Sequence, residues 1–232
     1  MGHTAEFRRF AVYFTPPPGP LADLGAAWLG WDAAHARAVP HPSLPALPLP
    51  VEKITAVPRK YGFHATLKPP FALAATTSLD ALKSDLADLA ARLAPVTLEA
   101  LNVTRLGSFL ALVPAGDTSA LSALAATLVR ELDHHRAPLL DADLAKRRAN
   151  GLSAAQDANL LQWGYPYVMQ EFRFHMTLTG RLPKSQAQTI AQALSPLFHP
   201  HLPSPFPIDA ISLSGEDQNG RFHTLSRYTL GG

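Results

Sequence analysis

Apolar positions along this chain switch period several times, and each switch marks a predicted element. Phe10–Phe14 reads as an opening strand, followed by a Pro-rich bend and a helix near Leu21–Ala34. Residues 40–50 hold five prolines and read as an irregular surface loop. From Ser78 the spacing becomes helical, with Leu79, Leu82, Leu86, Leu89 and Leu93 on one stripe and Ser78 placed to cap. Alternating segments near Val96–Val103 and Phe109–Val113 flank the turn signal Gly107-Ser108, and a helix near Thr118–Asp133 comes next. A later helix near Ser185–Phe198 leads into alternating segments near Pro207–Leu213 and Arg221–Leu230, joined by the turn-like stretch 215–220.

Between these halves, residues 137–170 carry no strand pattern. Ser153 and Gln156 have capping-box spacing before a short helix ending at Gly164, and Trp163, Tyr165 and Tyr167 cluster there. The segment reads as a helical insert whose aromatic end approaches the second half of the chain near residue 171. No repeat of 20 to 50 residues is present, which excludes a solenoid.

One pentapeptide pattern occurs twice, as Phe63-His64-Ala65-Thr66-Leu67 and Phe174-His175-Met176-Thr177-Leu178. In an extended strand, side chains alternate between faces. His64 and Thr66 therefore share one face and Phe63, Ala65 and Leu67 the other; the second copy behaves likewise. With 10 His and 11 Phe in 232 residues, composition alone supplies roughly 0.005 copies of the whole pattern. The two copies lie 111 residues apart (64 to 175), and each opens the same succession of strand, helix, strand, strand. The expectation is one α+β domain over residues 1–232. It would be a two-lobed, pseudo-twofold duplication with two mainly antiparallel sheets facing a central cleft and helices outside. Lobe one carries its motif at 60–71 and lobe two at 171–180.

Paired His-x-Thr strands in the two halves of such a chain resemble the two-histidine phosphoesterase superfamily of cyclic phosphodiesterases and RNA-end-processing enzymes. The longer stretches Arg59–Phe71 and Glu171–Gly180, with Phe10–Pro17, are similar to one bacterial branch labelled a phosphonate-metabolism protein. The resemblance covers nearly the whole chain. It implies a bilobal fold, histidine acid–base chemistry on a phosphodiester, and a small phosphorylated substrate or an RNA terminus as partner.

Composition narrows the alternatives. Charged residues are 16% and hydrophobic ones 47%, which argues against disorder. No apolar run approaches the roughly 20 residues of a membrane span, and Met1–Phe10 lacks a signal-peptide core. The absence of cysteine excludes disulfides and thiolate chemistry and fits the cytoplasm. A net charge of +2 is too small for tight non-specific nucleic-acid binding.

Two imidazoles can remove a proton from a nucleophile and deliver one to a leaving oxygen near neutral pH. Two threonine hydroxyls can hydrogen-bond the phosphoryl oxygens. The candidate catalytic residues are His64 and His175, with Thr66, Thr177, Arg173, Lys68 and Tyr13 for phosphate or substrate binding. Arg173 and Lys68 enter by strand parity, and Tyr61, Tyr167 and Arg227 are further substrate contacts. Neither motif has a carboxylate or cysteine at ligand spacing, so no metal or other cofactor is expected. His134-His135 and His199-Pro200-His201 read as surface residues. The expected activity is metal-independent hydrolysis of a 2′,3′-cyclic or similar sugar or nucleotide cyclic phosphate. The alternative is a module on the same fold that binds a phosphate, nucleotide or RNA end without turnover. Two proton-transfer groups exceed what such a module needs.

Overall fold

The computed structural model describes residues 7–44, 47–149 and 151–232. Strand β1 (Phe7–Phe14) leads to helix α1 (Pro20–Leu29), which Gly30 ends in the left-handed conformation. Short strands β2 (Trp31–Asp32) and β3 (Arg37–Ala38) form a small hairpin. Helix α2 (Val51–Ile54), a 3-10 turn and strand β4 (Ala65–Phe71) come next. Helix α3 (Leu79–Arg92) has Ser78 accepting from the Ala81 N–H as its cap, as its sequence predicts. Strands β5 (Val96–Leu98), β6 (Ala100–Leu106) and β7 (Phe109–Ala115) lead on to α4 (Ser119–Glu131). The insert contains α5 (Asp141–Arg148), which the hydrophobic pattern does not announce, and α6 (Ala154–Trp163), whose Ser153–Gln156 capping box is complete. Strand β8 (Met176–Thr177), helix α7 (Lys184–Phe198) and strands β9 (Phe206–Ile208), β10 (Ala210–Asp217) and β11 (Phe222–Thr229) complete the order. The Pro-rich loop at 40–50 falls partly outside the described residues.

The α+β class and the antiparallel pairing agree with expectation, but the two expected sheets are joined. A single seven-stranded sheet runs β11-β10-β1-β4-β8-β7-β6, and each of its pairs is antiparallel. The halves meet where the motif strands pair, Ala65 opposite Met176. Each motif strand also lies on the side of the other repeat's hairpin. β8 pairs with β7 of the first repeat, while β4 is linked through β1 to β10–β11 of the second. This pairing joins strands from both halves of the sequence in one sheet.

Alternation along both motifs decides what is buried. Phe63, Ala65, Leu67, Phe174, Met176 and Leu178 all enter one continuous core with α1, α3, α4 and α7. His64, Thr66, His175 and Thr177 stay half-buried on the opposite face. Trp28 of α1 donates its indole N–H to the Leu178 carbonyl at 2.7 Å, pinning the second motif from behind.

Candidate active site

The two histidines are held alike. His64 Nδ1 lies 2.9 Å from the Gly62 carbonyl, and His175 Nδ1 lies 2.8 Å from the Arg173 carbonyl. A carbonyl only accepts, so in the neutral ring the proton sits on Nδ1 and Nε2 keeps its lone pair. In both copies the partner is the carbonyl two residues upstream. At the first copy this needs Gly62, which has φ 74°. A β-carbon there would stand 2.7 Å from the Ala33 side chain. His64 Nε2 lies 3.3 Å from Thr66 Oγ1.

The antiparallel register supplies the relation between the copies. Ala65 and Met176 are the middle residues of their pentapeptides and face each other. Extending that register by one residue in each direction sets His64 opposite Thr177 and Thr66 opposite His175. All four line one cleft of about 720 Å³. A local twofold axis thus passes between the strands and presents two histidine–threonine pairs to a common space.

Packing around the imidazoles tunes them. The Tyr13 ring lies 3.9 Å from that of His64, and Phe109 flanks His175 at 5.7 Å. Burial is the main reason that the His64 pKa falls to about 4; the Gly62 carbonyl partly opposes the shift, and the charge of His175 adds a smaller lowering. His175 is lowered too, chiefly by burial, against its bond to the Arg173 carbonyl. Both rings are therefore neutral at pH 7 in the free protein. Tyr13 is 1% exposed, and burial raises its pKa well above that of ordinary tyrosine. Its hydroxyl is buried without a hydrogen-bond partner.

The cleft gathers most of the sequence candidates. Tyr13, Tyr61, Tyr167 and Arg173 line it with the four motif residues. Arg173 is exposed and precedes β8, so its place does not come from a buried strand as parity suggests. Arg147, Gln156, Tyr165 and Tyr167, from residues 137–170, also line the cleft.

Lys68 is a correction. Tyr13 pairs with Thr66 but Val12 pairs with Lys68, so one residue of β1 spans two of β4. This bulge turns Lys68 onto the face of Val12, away from Thr66. Lys68 is 2% exposed and donates to the Val129 carbonyl of α4 at 3.0 Å, with Asp133 at 3.5 Å. It lines a neighbouring cavity of about 500 Å³ instead. Burial lowers its pKa to about 8, although Asp133 opposes the shift. Arg227 also misses the cleft lining and donates to the Thr15 carbonyl at 2.6 Å. His135 is buried rather than on the surface, whereas His199 and His201 are exposed as expected.

Sequence reading missed Arg9, which reaches the cleft from β1 and is fixed by Glu216 across the β1–β10 pair, with Nη2 to Oε1 at 2.9 Å. The signal was available: Arg9, Ala11 and Tyr13 alternate on the strand as His64 and Thr66 do. Glu171 lines the cleft and accepts from Gln156 Nε2 at 2.9 Å. Among the described residues, the cleft histidines belong to no group of three or more metal-type ligands.

Fold and cleft define an α+β protein with two histidine–threonine pairs related by a local twofold axis. The chain belongs to the family described as "Protein of unknown function (DUF1045)", matched over residues 66–223. It is 38% identical over 218 residues to a protein of Janthinobacterium sp. (strain Marseille) named ribose 1,5-bisphosphate phosphokinase PhnN, covering 91% of this chain and 48% of that one. A protein of the same name from Laribacter hongkongensis (strain HLHK9) is 36% identical over 225 residues, covering 94% of this chain and 51% of that one. The chain thus spans about half the length of the curated relatives it matches. Among solved structures, E. coli LigT complexed with 3'-AMP aligns over 98% of this chain and 99% of that one, with a TM-score of 0.44 and 14% identity. E. coli LigT complexed with phosphate aligns over the same shares, with a TM-score of 0.43 and 14% identity.

Proposed function

We propose that this protein is a metal-independent phosphoesterase that opens a cyclic phosphodiester by paired histidine acid–base catalysis. The observation that carries this reading is the pair of equivalently held imidazoles. Each has Nδ1 on an upstream carbonyl, and each shares the cleft with the threonine of the facing strand.

In the proposed reaction one neutral imidazole takes a proton from water through Nε2 as the oxygen attacks phosphorus. The other gives a proton to the departing ring oxygen, so the ring P–O bond breaks as the new P–O bond forms. The acid needs its proton first. An anionic phosphate between the rings favours the charged form and raises a lowered pKa, so substrate binding itself protonates one imidazole. Thr66 and Thr177 donate to the non-bridging oxygens as charge grows there, and Arg173 pairs with the anion. Tyr13 offers its unpartnered hydroxyl to the same group.

A small sugar or nucleotide cyclic phosphate suits the cleft size better than a long polymer. The relatives named for ribose 1,5-bisphosphate put cyclic phosphates of ribose first among compounds to test. The cysteine-free sequence supports a cytoplasmic site of action. No helix among the described residues is long and apolar enough to cross a membrane. The deciding experiment is a panel of sugar and nucleotide cyclic phosphates incubated with the chain, with and without chelator, while product and thermal shift are measured. Turnover that survives chelator supports the reading. Stabilisation by phosphates with no product from any member would replace it with a binding module.

A further inference from the structure

We propose that Asp85, His134 and His135 form a binding site for a zinc-type divalent ion, outside the histidine cleft. Asp85 projects from α3, and the two histidines form the 3-10 turn after α4. Asp85 Oδ2 lies 3.0 Å from His134 Nε2 and 2.9 Å from His135 Nε2. One ligand atom from each residue falls within 4.8 Å of the others, the only such group of three among the described residues.

These separations are close to what an ion needs. Tetrahedral zinc with bonds of about 2.0–2.1 Å sets its ligand atoms about 3.3 Å apart. Lengthening the two contacts to Asp85 by a few tenths of an ångström gives each nitrogen that spacing from the carboxylate, and no two of the three ligand atoms lie more than 4.8 Å apart. The donor set also selects the metal: two imidazoles and one carboxylate suit zinc, cobalt or nickel, whereas magnesium and calcium require oxygen cages.

The surroundings are graded from rigid to accessible. The His135 side chain is 2% exposed, and its Nδ1 lies 2.6 Å from Thr77 Oγ1. That contact is the outer hydrogen bond that orients a metal-ligating histidine. The side chains of His134 and Asp85 are 59% and 45% exposed, so an ion reaches them from solvent and keeps a water in its fourth position. An imidazole coordinates through the lone pair of Nε2 and carries its ring proton on Nδ1, from which His135 donates a hydrogen bond to Thr77.

Bound metal would clamp α3 to the segment after α4. That segment also carries Asp133 and Arg136, which are paired through Nε–Oδ1 at 2.8 Å, and Asp133 faces Lys68. None of the three ligands lines the histidine cleft, so the ion serves stability rather than the reaction, and the inference stands apart from the proposed activity.

The test is titration of the tag-free chain with ZnCl2 and MgCl2, monitored by calorimetry and thermal unfolding. Expected are one zinc per chain and a Tm rise of roughly 5 to 10 °C at a hundredfold excess over Kd, with no response to magnesium. His134→Ala, an exposed position, and Asp85→Asn should each abolish the response, while His64→Ala and His175→Ala should retain it. The proposal is overturned by no stoichiometric zinc binding, by binding that survives either His134→Ala or Asp85→Asn, or by binding lost in His64→Ala or His175→Ala.

Discussion

Ala65 stands directly opposite Met176, and each is the central residue of its own copy of the repeated motif. Because antiparallel partners are related by a local twofold axis, this one pairing brings four polar side chains together. It turns two distant pentapeptides into one site.

If the imidazoles transfer protons, removing either should abolish most turnover without unfolding the protein. His64→Ala and His175→Ala are each expected to lower kcat by about 10²- to 10⁴-fold. The double variant should fall little further, because the groups act in one step. Steady-state kinetics alongside circular dichroism checks this; wild-type rates in both single variants would refute the mechanism.

The lowered histidine pKa values set the direction of pH effects. The base works only when neutral, so the acid limb of kcat/KM should lie below the ordinary histidine value of about 6.5. It should approach pH 4 if His64 is the base. Stability has the same sign. Near pH 5 the unfolded chain binds protons that the folded His64 refuses, so the contribution of the neutral ring is complete above about 6.5 and is lost as pH falls toward 4. Between pH 7 and 4.5 the Tm of the wild type should drop further than that of His64→Asn. Equal drops would show that His64 titrates normally.

Tyr13 separates binding from stability. A buried hydroxyl without a partner costs about 1–3 kcal/mol, and Tyr13 has such a hydroxyl beside His64. Tyr13→Phe should leave Tm unchanged or raise it by about 2 to 4 °C, while activity falls about 5- to 20-fold through loss of one hydrogen bond to substrate. Unchanged kcat/KM would remove Tyr13 from the substrate contacts.

For Lys68 the expected pattern is reversed. Its ammonium group caps the last turn of α4 through the Val129 carbonyl and faces Asp133. Lys68→Met should destabilise the fold by about 2–4 kcal/mol by leaving those acceptors unpaired. The kcat of the folded fraction should remain near wild type. Chemical denaturation and active-site-normalised kinetics distinguish the two roles, and a large kcat loss at full stability would return Lys68 to the site.

Gly62 tests the support behind His64. Gly62→Ala places a β-carbon against Ala33 at a positive φ, so the carbonyl that holds Nδ1 must move. A loss of about 1–3 kcal/mol in stability should accompany a kcat decrease larger than the folded fraction explains. At Gly180 the backbone is ordinary and an added β-carbon would meet no atom closer than 3.5 Å, so Gly180→Ala serves as the near-neutral control.

Local pattern alone determined the helices with clear apolar stripes, the caps at Ser78 and Ser153, and the inward and outward faces of both motifs. These features depend on residues within a few positions of one another. Tertiary structure decided the rest. The joining of two sheets depends on pairing across more than 100 residues, and the bulge that carries Lys68 out of the cleft appears only when β1 is laid against β4. Arg9 reaches the site because Glu216, far along the chain, holds it. The burial of His135 likewise required α3 beside the turn after α4. Side-chain alternation is a property of a single strand, whereas register and bulges belong to pairs of strands, and only the folded chain selects the pairs.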